Sequence, residues 1–129
     1  MAKTEKTIAK EMITEHFSKK EFSCPCGCGF NDVNPILVER LEMIRNALRE
    51  PIRIMSGCRC QKHNERVRGK PNSAHLRGNA ADINCPDSGF RYRFLKQAFK
   101  IFNRIEVPNG PWIHVDVDAT LPQDVCFTR

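Results

Sequence analysis

The stretch Ser73-Ala-His-Leu-Arg-Gly-Asn-Ala-Ala-Asp82 constrains this chain most, because it sets an imidazole and a carboxylate seven positions apart around a glycine. If both groups serve one site, the backbone between them must fold back. On a helix His75 and Asp82 would stand about 10.5 Å apart along the axis. On an extended strand they would be about 23 Å apart. Neither suits two donor atoms that share a small ion. The spacing therefore predicts a chain reversal with Gly78 at its bend, since glycine readily takes the positive φ such reversals often need, and a short buried strand beginning at Ala80.

A third donor comes from Trp112-Ile-His-Val-Asp-Val-Asp118, where Ile113, Val115 and Val117 alternate with the other residues as in a strand with one face in the core. His114 and Asp116 then share the opposite face. His75, Asp82 and His114 make a donor set of two nitrogens and one oxygen, the kind that zinc binds at about 2.0 to 2.2 Å. Three protein ligands leave a fourth position for water, the arrangement of catalytic zinc, which predicts hydrolysis. A lone histidine is more often a surface or hydrogen-bonding residue; the combination favours the metal.

These residues resemble the signature of the M15 zinc peptidases, which cleave bacterial cell-wall peptides. That signature is Ser-x-His-x-x-Gly-x-Ala-x-Asp followed by a strand carrying His. It is met here by Ser73, His75, Gly78, Ala80 and Asp82 and then by Trp-Ile-His114-Val-Asp. The likeness takes in Glu21-Phe-Ser-Cys24, the helix after Asn34 and Pro51-Ile-Arg-Ile-Met-Ser-Gly-Cys-Arg-Cys60, and so nearly everything after about residue 16. It is strongest to the short D-alanyl-D-alanine carboxypeptidase branch encoded by bacteria and phages. The metal core is also similar to that of hedgehog signalling domains.

The resemblance implies an α+β fold, in which a small antiparallel sheet carries the zinc site and packs with two main helices. It implies one catalytic zinc on His75, Asp82 and His114, a peptidoglycan peptide as substrate, and Arg59 and Ser73 as donors to a substrate carboxylate. The planar guanidinium of Arg59 suits that role. Two positions depart from the family pattern: Cys58 stands where Tyr is more frequent, and Pro111 stands three places before His114, where several relatives carry the acidic general base. Asp116, about 6.6 to 7 Å along the strand from His114, is the choice for that base, with Glu106 on the preceding strand as the alternative. Either could instead hold a ligand histidine by its other ring nitrogen.

At 129 residues and 40% hydrophobic, the chain suits one domain. Residues 1–15, rich in Lys and Glu, read as a flexible arm, and 16–129 as a single peptidase domain. The net charge of +6 suits a polyanionic partner: nucleic acid, an anionic membrane or a cell wall. The alternative to a peptidase is a non-catalytic zinc domain that binds nucleic acid or a protein. Against it, the basic residues are dispersed, and one Trp and one Tyr offer little for base stacking. No apolar run approaches the roughly 18 residues that span a bilayer, and the N-terminus has no apolar signal core. Cytoplasmic synthesis, no membrane insertion, a monomer, and access to the wall through lysis, as for phage endolysins, are the corresponding expectations.

Seven cysteines are an odd number, and five lie in two clusters. Cys24-Pro-Cys-Gly-Cys28 with Cys58-Arg-Cys60 could hold a second, structural zinc through four thiolates; the other reading is disulfides and small buried residues. Cys85 and Cys126 are a further possible pair. Asn34-Pro35 begins a helix to about Arg49, with Leu37, Leu41, Ile44 and Leu48 on one face. Ile52–Met55 reads as a strand, and 61–67 as one or two helical turns. Ser88 to Asn103 reads as a second main helix with an apolar face that includes Phe94, Phe99 and Phe102. Arg104–Val107 and Trp112–Asp118 form a hairpin about an Asn-Gly turn. His63 is a surface residue by default, and the segment after Ala119 shows no pattern.

Overall fold

The computed structural model describes residues 11 to 128. Its elements are strands β1 (Ile54–Ser56), β2 (Ala80–Asn84), β3 (Arg104–Glu106), β4 (Trp112–Asp116) and β5 (Val125–Phe127), and helices α1 (Pro35–Leu48), α2 (Gln61–Arg66) and α3 (Ser88–Ile101). The five strands form one mixed sheet in the order β1-β2-β4-β3-β5, which makes this a small α+β fold.

Both main helices start where side chains can satisfy their first N–H groups. Asn34 accepts from the Ile36 N–H before Pro35, and Asp87 accepts from the Phe90 N–H. Their apolar faces then meet the sheet. Leu37, Val38, Leu41 and Ile44 of α1 and Phe90, Phe94 and Ala98 of α3 share one core with Ala81, Ile83, Ile105, Ile113 and Val115. Each large side chain buried in this way contributes about 1.5–3 kcal/mol. Phe99, expected in this core, is exposed; it follows Ala98 by one residue and so points about 100° further round the helix.

Register decides what lies on the other face. Asp82 of β2 pairs with His114 of β4, which pairs with Glu106 of β3, so the three side chains form a row. The next row carries Asp116 and Arg104. The alternation that puts Ile113 and Val115 in the core thus puts His114 and Asp116 opposite.

Two expectations are modified. The segment after Ala119 supplies β5, which pairs parallel to β3, so the sheet is antiparallel only through its first four strands. A three-residue strand is too short to show periodicity. Part of the segment expected to be a flexible arm makes contacts: Met12 bridges to Ser18, Thr14 Oγ1 donates to Glu42 at 2.6 Å, and His16 Nδ1 meets the same carboxylate at 2.5 Å. Residues 11–15 are therefore tied to α1, while the rest of the expected arm, 1–10, lies outside the described residues. Among the described residues no helix is long and apolar enough to cross a membrane.

Candidate metal centre

Ser73 begins the reversal. Its hydroxyl accepts from the His75 N–H, capping the 3-10 turn Ala74–Arg77, and Gly78 ends that turn at φ 72°. A Cβ at Gly78 would lie 2.3 Å from the Asp32 carbonyl oxygen, so both the backbone angle and the close approach require glycine. The chain then enters β2, where Asp82 faces back towards His75.

His75 Nε2 lies 3.2 Å from Asp82 Oδ1, and His114 Nδ1 lies 3.0 Å from the same oxygen. Tetrahedral zinc with ligands at about 2.0–2.1 Å places its donors about 3.3–3.4 Å apart. The three groups thus fit one metal ion. Their other atoms are also fixed. His75 Nδ1 is 2.6 Å from the Gly57 carbonyl, which can only accept, so Nδ1 carries the hydrogen and Nε2 presents its lone pair. His114 Nε2 donates to Asp116 Oδ2 at 2.7 Å, leaving Nδ1 for the centre. Such outer hydrogen bonds are the usual means of orienting metal-binding histidines.

Electrostatics divide the two imidazoles. Burial lowers the His75 pKa despite the bond to Asp82. Burial also acts to lower that of His114, but hydrogen bonds to Asp116 and Asp82 outweigh it and raise the value to about 9. For Asp82, burial opposes ionisation, yet His114 and His75 bring its pKa well below the usual carboxylate range.

The residues assigned to catalysis and binding occupy instructive places. Asp116 is buried, with Oδ2 on His114 and Oδ1 accepting from Arg104 Nε at 2.8 Å and from the Asp118 N–H at 3.1 Å. It lies at the ring edge of His114 that faces away from Asp82. Arg59 donates Nη2 to Asp82 Oδ2 at 3.0 Å, Nη1 to Asn64 at 3.1 Å and Nε to Ser56 at 3.1 Å. Its fork steadies the candidate ligand. Ser73, Lys70, Glu106 and His114 line one cavity of about 410 Å³, and Arg59 is not part of that lining.

Two supporting residues escaped the sequence reading. Asp118 is fully buried and accepts from Arg77 Nε at 2.6 Å, from Asn79 and from Thr120, tying the His75 turn to the end of β4. Arg104 pairs with Asp116 and lies over the Phe127 ring at 4.9 Å. The Val-Asp-Val-Asp alternation was the available signal for Asp118; nothing local marked Arg104.

Another group of ligand-type atoms gathers where the loop 24–28 meets Cys60, the cap of α2. The sulfurs of Cys24, Cys26, Cys28 and Cys60 come within 4.8 Å of one another and could hold a metal. Cys58 is not among them: it is buried, and burial pushes its thiol up to about 11. The His63 backbone N–H brings the Cys60 thiol down to about 7. All seven cysteines are free thiols, so Cys85 and Cys126 are not joined. The Nδ1 of His63 is buried without a partner, and His63 belongs to neither group.

A buried His–Asp–His set on a sheet face, beside an open cavity, is the donor set of a single-metal hydrolase. Residues 15–116 match the Peptidase M15 family, and the chain belongs to that family of metallopeptidases. No curated protein matches the sequence.

Proposed function

We propose that the protein is a zinc-dependent peptidase that hydrolyses the stem peptides of peptidoglycan. The observation that carries this reading is the convergence of His75 Nε2, Asp82 Oδ1 and His114 Nδ1 at distances matched to one zinc. When bound there, zinc supplies a Lewis acid that polarises a carbonyl and makes water a better nucleophile.

The remaining work falls to the chain. Glu106 is buried, lies beside His114 across the β3–β4 pair and lines the cavity, and we assign it to accept the proton of the attacking water. This replaces Asp116, whose oxygens already serve His114, Arg104 and the Asp118 N–H. Asp116 becomes a positioning residue for His114. Arg59 likewise holds Asp82, in place of the substrate contact expected for it. Lys70 and Ser73, on the cavity wall, suit a peptide carboxylate as cation and hydroxyl donor.

The test is to incubate zinc-loaded protein with purified peptidoglycan and with a soluble stem peptide ending in D-alanyl-D-alanine, and to identify products by mass spectrometry. Release of D-alanine marks a carboxypeptidase and internally split stems mark an endopeptidase; His114→Ala yields neither. Cleavage of neither substrate would overturn the reading.

A further inference from the structure

The cysteine group takes no part in the chemistry above, yet its geometry is that of a site. Cys24 and Cys26 are 3.5 Å apart at sulfur, as are Cys26 and Cys60. Four thiolates around zinc, at about 2.3 Å each, stand about 3.8 Å from one another. Local sequence explains the gathering. Cys24, Cys26 and Cys28 alternate with other residues, so a plain strand would send all three to one side in a row too long to share an ion. Gly27 at φ 84° and Gly29 at φ 93° curl the loop instead. A Cβ at either would touch nothing within 4 Å, so the backbone angle is what demands glycine. Cys60 arrives from a distant segment as the cap of α2.

Backbone dipoles point at the sulfurs. The Cys60 N–H donates to Cys24 Sγ at 3.4 Å, the Phe30 N–H to Cys28 Sγ at 3.5 Å, and the His63 N–H to Cys60 Sγ at 3.4 Å. Hydrogen bonds to sulfur favour the thiolate form that binds metal. Four thiols that give up their protons to one zinc leave a unit of charge of about −2, which a chain of net charge +6 accommodates.

We propose that Cys24, Cys26, Cys28 and Cys60 bind a structural zinc ion, and that this ion fixes the strap 57–60 on which the His–Asp–His centre leans. The strap touches that centre three times. The Gly57 carbonyl accepts from His75 Nδ1, the Arg59 N–H donates to the His75 carbonyl at 3.0 Å, and the Arg59 guanidinium holds Asp82. Clamping Cys60 to the 24–28 loop pins the far end of the strap. The positioning half of the proposal rests on the zinc-peptidase reading; the metal-site half does not.

The experiment uses the full chain, reduced and loaded with zinc, as wild type, His75→Ala and Cys26→Ser. Zinc content is expected to be two per wild-type chain and one in each variant. X-ray absorption of His75→Ala should give a shell of sulfur alone at about 2.3 Å. Cadmium NMR of the wild type, which needs no substitution, should show one resonance in the all-thiolate range. Absence of any metal with a sulfur shell, or iron in place of zinc in protein isolated from cells, overturns the site. The affinity of the His–Asp–His centre for zinc should fall about tenfold or more in Cys26→Ser, and an unchanged affinity overturns the positioning role. Zinc-loaded wild-type protein that shows the sulfur shell yet leaves peptidoglycan uncut would count against the peptidase reading alone.

Discussion

The buried His–Asp–His set and the four-cysteine cluster are built on opposite kinds of backbone. Asp82 and His114 stand opposite each other on neighbouring strands, and apolar partners on the reverse face lock their register. A slip by one residue would turn every side chain to the wrong face. The four cysteines stand on loops and a helix cap, with left-handed Gly27 between Cys26 and Cys28 and left-handed Gly29 just after them. The sheet centre is thus held ready by the core, whereas the cysteine cluster has only weak hydrogen bonds to sulfur until something binds all four. The lesson concerns where precision comes from. Catalytic geometry is fixed by burial on the far side of a sheet, and a loop can match it only when crosslinked.

The strongest way to break this contrast is at the sheet centre. His75→Ala, Asp82→Ala or His114→Ala should each cut hydrolysis by about a thousandfold or more, the rate equivalent of the several kcal/mol a Lewis-acid metal supplies. Circular dichroism should show the fold retained, because the core lies on the other face. Next comes the division of labour between carboxylates. Glu106→Gln should lower kcat by about a hundredfold or more with zinc affinity kept. Asp116→Asn should instead weaken zinc by about tenfold to a hundredfold. The opposite pattern would return the base to Asp116.

Two of the three candidate ligands were legible in the signature stretch because a seven-residue separation forces a reversal, and Gly78 takes the φ of 72° that the reversal implies. His114 was legible because strict alternation in β4 sorts side chains by face. The roles of Asp116 and Arg59 were not. Each depends on a partner far along the chain, Arg104 for one and Asp82 for the other, and pairings across strands leave no local pattern. Strand β5 was hidden for the same reason, since a three-residue strand is defined by its neighbour β3. Cys60 entered the cysteine cluster in preference to Cys58 because of which side of the strap faces the core, which composition cannot show.

Smaller effects sharpen the picture. Arg59→Lys should reduce zinc affinity by about tenfold, more than it changes KM, because an ammonium cannot bridge Asp82, Asn64 and Ser56 together. Equilibrium dialysis and steady-state kinetics on the one variant separate the two. The smallest effect is an acid one. Burial opposes ionisation of Asp118, but hydrogen bonds from Thr120 and Arg77 bring its pKa to about 2, below the ordinary 3.8. A depressed carboxylate stabilises the fold fully above its unfolded value and ceases to do so as pH falls through the folded one. The stability deficit of Asp118→Asn in urea should therefore be constant above about pH 4 and shrink towards pH 2.

The central claim is that His75, Asp82 and His114 hold the zinc that makes this chain a peptidase. The most direct measurement follows the appearance of new amino groups from purified peptidoglycan, using chelator-stripped protein before and after zinc is restored. We expect stripped wild-type protein to be inactive, zinc to restore it, and His114→Ala to stay inactive under both conditions. A stripped protein that cleaves at the full rate, or a His114→Ala protein that zinc revives as well as the wild type, would contradict the claim.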